Sequence, residues 1–206
     1  MTVLNLQQIG AGFSQEDLGS QAAFRCALDA LAMPARWTAM AHDAEVPSGA
    51  GPTAAGLLLA LLDADCTLWL SPALRASQAA AWLRFHTGCR LVEAPGDAMF
   101  VWVGQGEACP PLASLEWGSD PTPQDACTLL LDVPALDAAA PSLSAVASGP
   151  GIEKPRAVTL PGLPADFLPQ WREVHAAFPR GIDLYLCAPE AILALSRSTA
   201  LTSRED

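Results

Sequence analysis

The chain has 206 residues, with 22 acidic and 11 basic side chains and a formal net charge of −11; hydrophobic residues make up 51% and charged residues 16%. That hydrophobic content excludes a disordered chain. The acidic balance excludes general binding to nucleic-acid phosphates and anchoring to a membrane by a basic patch.

In chain order, the first helix is expected from Ser14 to Met33. Ser14 and Asp17 fit a capping box, and Pro34 stops the run. Phe24, Leu28 and Leu31 recur at helical spacing. After the Gly/Pro loop 47–52, a second helix covers Thr53 to Asp63 and is apolar almost all round, so it should lie buried. Thr67–Leu70 reads as a strand. Ser71–Pro72, a cap followed by proline, then opens a helix to about Phe85. Arg90–Glu93 and Ala98–Val103 read as strands, and Leu112–Trp117 as a short helical piece. Strands are expected at Thr128–Val133, Leu143–Ala147 and Ala157–Leu160. A helix at Pro164–Ala177 follows, with Phe167, Trp171 and Val174 on one face, then strands at Ile182–Cys187 and Ile192–Ser196. The last few residues should fray. Alternating elements early and strands later predict an α/β domain, a mixed sheet with helices on its faces. Pro134–Pro141 is the best linker candidate, but neither side of it looks like a complete core, so one domain is expected.

The longest apolar stretch, Ala54–Leu62, has nine residues, against the roughly 20 of a membrane span. Met1–Gly12 carries no basic residue, so a secretory start is missing, and a cytoplasmic protein is expected. The six cysteines form no C-x-x-C pair and read as reduced and mostly buried rather than as metal ligands.

Familiar catalytic motifs are absent. There is no P-loop and no G-x-S-x-G elbow. Gly10-Ala-Gly12 and Gly104-Gln-Gly106 lack the third glycine of a dinucleotide turn, and His42, His86 and His175 lie far apart. Lys154 is the only lysine, so an enzyme using pyridoxal phosphate would need it as the Schiff base. It sits instead in a turn-like charged segment.

Four features remain. Arg84, His86 and Thr87 close the third helix. Arginine and histidine there suit the helix dipole, the commoner reading, and they could also present cationic groups to an anion. Gly149 and Gly151 allow close backbone approach, whereas Pro150 between them has no amide hydrogen; a tight turn is the commoner reading. Asp183 leads into a buried strand and should find a partner in Arg180 or Arg197. Between Arg90 and Lys154 lie nine acidic residues and no basic one, either a solvated face or a docking surface for a basic partner.

Read together, several segments resemble the PhnH family, the H subunit of the carbon–phosphorus lyase core complex of bacterial phosphonate metabolism. They are Phe24-Arg-Cys-Ala-Leu-Asp-Ala-Leu-Ala-Met-Pro34, Leu58–Asp65 with Leu68-Trp-Leu-Ser71, Leu83-Arg-Phe-His-Thr87, Ser148-Gly-Pro-Gly-Ile152, Phe178-Pro-Arg-Gly-Ile-Asp183 and Ser196-Arg-Ser-Thr199. The resemblance covers about residues 20 to 200 and implies a three-layer α/β/α fold similar to the large domain of pyridoxal-phosphate-dependent transferases, without the cofactor. It also implies a homodimer in isolation and assembly with the G, I and J subunits. That complex forms a ribose 1-phosphonate 5-triphosphate from ATP and an alkylphosphonate. No catalytic residue carries over. Ligand-binding candidates are Arg84, His86, Thr87, Gly149, Gly151, Asp183 and Arg197, and the alternative function is a stand-alone binder of a nucleotide or phosphonate through Arg84 and His86.

Overall fold

The computed structural model describes residues 9–136 and 140–203. In chain order its elements are α1 (Glu16–Ala32), β1 (Trp37–Ala39), α2 (Pro52–Leu61), β2 (Thr67–Leu70), α3 (Pro72–Ala76), α4 (Ala79–Thr87), β3 (Arg90–Leu91) and β4 (Phe100–Val103). They continue with β5 (Thr128–Asp132), β6 (Ser142–Gly149), β7 (Ile152–Pro161), α5 (Phe167–Ala176), β8 (Asp183–Ala188), β9 (Ala191–Leu195) and β10 (Ala200–Ser203). Asp137–Ala139, within the candidate linker, and the last three residues, where fraying is expected, lie outside the described residues.

Seven strands form a sheet in the order β1-β9-β8-β5-β4-β2-β3. The strands from β8 to β3 run parallel, whereas β9 and β1 are antiparallel to their neighbours, so the α/β class and the mixed sheet are as expected. Side-chain alternation divides the core between the two faces of this sheet. Leu70, Trp102, Leu130, Tyr185 and Ile192 pack under α1, α2 and α4. Val101, Val103, Leu129, Leu131, Leu184 and Leu186 pack under α5 and a second sheet of order β10-β6-β7. That second covering layer is therefore part helix and part antiparallel sheet.

Several boundaries differ from expectation for local reasons. Ser14 does not cap α1: its hydroxyl and amide both donate to Asp43, and the cap position is Gln15 without a side-chain bond. The helix expected after Ser71 is two helices. Ser77 turns its hydroxyl to the Leu74 carbonyl and accepts the Ala79 amide, a local alternative to the helical ladder. Lys154 lies exposed on β7 rather than in a turn. β1 and β10, absent from the sequence reading, are short edge strands.

The buried face of α1 consists of Ala23, Ala27 and Ala30, while Phe24 and Leu28 stand exposed and Leu31 is partly buried. Alanine lets the helix lie close to the sheet, and the Tyr185 hydroxyl reaches the Ala27 carbonyl at 3.2 Å.

Candidate functional site

The parallel strands β2, β4, β5 and β8 end on one edge of the large sheet, where Ser71, Gly104, Val133 and Pro189 begin the next connections. From β2 the chain moves outward to β3, then returns to β4 on the other side of β2. Such a reversal leaves a crevice beyond the carboxyl ends of the strands, where open α/β sheets bind ligands. Two adjoining cavities of about 290 and 360 Å³ lie along this edge, both lined by Gly104, Gln105, Glu107, Asp132 and Val133.

The charged side chains lining both cavities are carboxylates, Glu107 and Asp132, and among the described residues no Lys, Arg or His joins them. Glu107 sits at the reversal itself. It accepts the buried Ser71 hydroxyl through one oxygen and the Ala73 amide, at the start of α3, through the other at 2.9 Å. Ser71 in turn accepts the Gly104 amide at 2.9 Å, which ties the ends of β2 and β4 together. Asp132 lies at the end of β5 and accepts the Gly51 amide, at the start of α2, at 3.1 Å. An unpaired amide at a helix start is where an anion ordinarily binds. In this crevice the protein's own carboxylates occupy both positions.

Asp132 is only 8% exposed, and its second oxygen, Oδ1, has no hydrogen-bond partner. Burial pushes its carboxyl up to about 7. The indole of Trp102 and the Gly51 amide oppose that rise, although Trp102 Nε1 makes no bond of good geometry to any acceptor. Sequence reasoning misses Asp132 because it stands at the end of an apolar run, Leu129-Leu-Leu, where a carboxylate reads as the strand's polar terminus. A single charge closing such a run is the available signal.

The residues chosen from sequence fall into two groups. Arg84, His86 and Thr87 lie on α4, in the layer of α1 and α2. Arg84 is exposed. His86 donates through Nε2 to the Gly10 carbonyl at 3.0 Å, which Trp82 Nε1 also reaches at 2.9 Å. The imidazole is edge-on to both Trp82 and Phe85. Thr87 returns its hydroxyl to the Leu83 carbonyl and accepts the Cys89 amide. These bonds of His86 and Thr87 hold the helix end and the incoming chain.

The second group belongs to the opposite layer and its join to the sheet. Gly149 and Gly151 carry φ of 133° and 79° in the β6–β7 turn. A Cβ at Gly149 would lie 2.7 Å from the Ser198 carbonyl, and one at Gly151 would overlap the Ala32 carbonyl, so the close approach is to this chain's own backbone. Asp183 pairs with Arg197: Oδ2 accepts Nη2 at 2.6 Å and Oδ1 accepts the Arg197 amide at 2.9 Å. Arg180, the other expected partner, instead pairs with Asp120 at 3.2 Å. Neither group lines the crevice.

The acidic segment is likewise divided. Glu93 pairs with Arg75, Asp120 with Arg180, and Glu107 and Asp132 hold helix starts. The six cysteines are free thiols. Burial pushes all of them up, Cys109 and Cys127 to about 12. Among the described residues no three His, Cys, Asp or Glu side chains gather as a metal site, and no helix is long and apolar enough to cross a membrane.

The fold and crevice define an α/β protein whose strand-end cleft is built around carboxylates rather than a phosphate cradle. Residues 11–202 match the family described as bacterial phosphonate metabolism protein (PhnH), and the chain belongs to that family. It is 35% identical over 195 residues to the alpha-D-ribose 1-methylphosphonate 5-triphosphate synthase subunit PhnH of Rhizobium meliloti (strain 1021), covering 94% of this chain and 96% of that one.

Proposed function

We propose that the chain is the H subunit of a carbon–phosphorus lyase core complex, required for forming a ribose 1-phosphonate 5-triphosphate from ATP and an alkylphosphonate. The observation that carries this is the near full-length match to a relative named as a synthase subunit. In this reading the chain is one domain, works in the cytoplasm, forms a homodimer alone and assembles with the G, I and J subunits. Its fold is that of a pyridoxal-phosphate transferase large domain without the cofactor.

The role is that of a non-catalytic subunit. Phosphonates and triphosphates are anionic, and no cation lines the cleft to attract them, while Glu107 and, as pH rises through about 7, Asp132 repel them. Lys154 is exposed on a strand edge, which supports reading it as a surface residue rather than a desolvated Schiff-base amine. The competing reading, a stand-alone nucleotide or phosphonate binder, rests on the exposed Arg84 beside His86.

The test is growth on methylphosphonate as sole phosphorus source in a strain lacking its own H subunit. Restored growth with this chain, and its recovery in fixed stoichiometry with the G, I and J subunits, is the expected outcome. Failure of both, with phosphonate binding lost in Arg84→Ala, would replace the subunit reading with the binder.

A further inference from the structure

The apolar stripe of α1 points outward. Leu18, Phe24 and Leu28 are 60%, 45% and 49% exposed, and Met33, just past the helix, is 42% exposed. With Asp17 and Gln21 they follow the three- and four-residue spacing of a single helix face, opposite the buried alanines. A helix of 17 residues is about 25 Å long, and Leu18, Phe24 and Leu28 are spread along it on one side, with Gln21 between the first two.

The order of residues along this stripe is self-complementary. Mirrored about residue 26, as in two antiparallel copies crossing there, Phe24 meets Leu28, Leu18 falls within one residue of Met33 and Asp17 within one residue of Arg36, while Pro34 and Ala35 between them are buried in their own chain. Arg36 is exposed and reaches back over Met33, its Nη1 at 3.8 Å from Sδ. Each end of the stripe thus offers the charge that the other end lacks, and the antiparallel arrangement also opposes the two helix dipoles. A two-fold interface demands that residue i touch j and that j touch i, which this order satisfies. The β6–β7 turn, with Gly151 against Ala32 and Pro34, widens the surface beyond the helix.

We propose that the outer face of α1 is the dimer surface, occupied by α1 of a second copy of this chain in antiparallel orientation about residue 26. This rests on the homodimer part of the reading above and names its contact.

Native mass spectrometry of the isolated chain tests it. Asp17→Lys places a cation opposite Arg36, and Arg36→Glu places an anion opposite Asp17. Each variant alone is expected to weaken the dimer at least about tenfold. Mixed in equal amounts, the two should form a heterodimer in which one end contact is the swapped ion pair and the other the original one. Both ends then join opposite charges. Leu28→Asp should weaken the dimer about a hundredfold or more. Circular dichroism of each variant should match wild type, because these side chains are exposed. Charge variants that dimerise as wild type does, or that fail to pair on mixing, overturn the antiparallel contact while leaving the homodimer standing. A monomeric wild-type chain overturns the homodimer as well and assigns the stripe to another protein surface.

Discussion

The carboxylate of Asp132 accepts the amide hydrogen of Gly51 across 81 positions of sequence, joining the end of β5 to the start of α2 at 3.1 Å. This bond closes one wall of the crevice, and its chemistry depends on the charge of a buried carboxyl whose other oxygen is unpaired.

Asp132 has a folded pKa of about 7, above its unfolded value of roughly 3.9. Between those values the folded state binds the extra proton, so stability from this group is full below pH 4 and is lost as pH rises through 7. The loss has an upper bound of about 4 kcal/mol, reduced by the dipole of α2. In Asp132→Asn the amide oxygen can still accept from Gly51 while the titration disappears. Urea unfolding at pH 5 and pH 8 should show a smaller drop for the variant than for wild type. Parallel profiles would mean that the carboxyl titrates normally.

Gly51→Ala should cost about 1–3 kcal/mol by overpacking, because a Cβ there overlaps the Asp132 carboxylate. Nearby Gly49 has open space around its Cβ position but a φ of 85°, so Gly49→Ala carries backbone strain of about 1–2 kcal/mol. The two causes separate in a pH series. Only the Gly51 variant should also change the titration described for Asp132.

Arg197→Ala breaks a partly buried pair with Asp183 and a bond to the Pro123 carbonyl. It leaves a half-buried carboxylate at the start of β8, so a loss of about 2–4 kcal/mol is expected. Arg180→Ala, whose partner Asp120 is largely exposed, should change stability by under about 1 kcal/mol. Equal melting temperatures for the two variants would contradict the assignment of the Asp183 pair.

How much of this was legible depended on the range of the interaction. The strand Thr67–Leu70 lies where its residues place it, and α2 has the nearly all-round apolar character of a buried helix. The break at Ser77 needed a choice between two local hydrogen-bond patterns that residue type alone leaves balanced. β1 was missed because three residues carry no period, and only pairing with β9 makes them a strand. Which face of α1 is buried is not legible for a different reason: both alanines and large apolar residues recur around that helix, and periodicity identifies an apolar stripe without saying what it meets. Likewise, Glu107 and Ser71 are 36 positions apart, so the crevice they close is a product of strand order, which no local pattern encodes.

The six raised thiols have a consequence for handling the protein. At neutral pH a thiol whose pKa lies near 12 is almost wholly protonated, and alkylating reagents and disulfides react with the thiolate. Cys127 and Cys187, buried within the central strands region, should therefore stay unmodified while the chain is folded and react once it opens. Labelling at these two sites becomes a clock for opening, with each modified molecule recording an excursion from the native state. Timed iodoacetamide exposure followed by peptide mass analysis should show protection at both positions that collapses in denaturant. Fast native labelling of Cys127, which is fully buried and lines neither cavity of the crevice, would show that the start of β5 opens far more often than its packing allows.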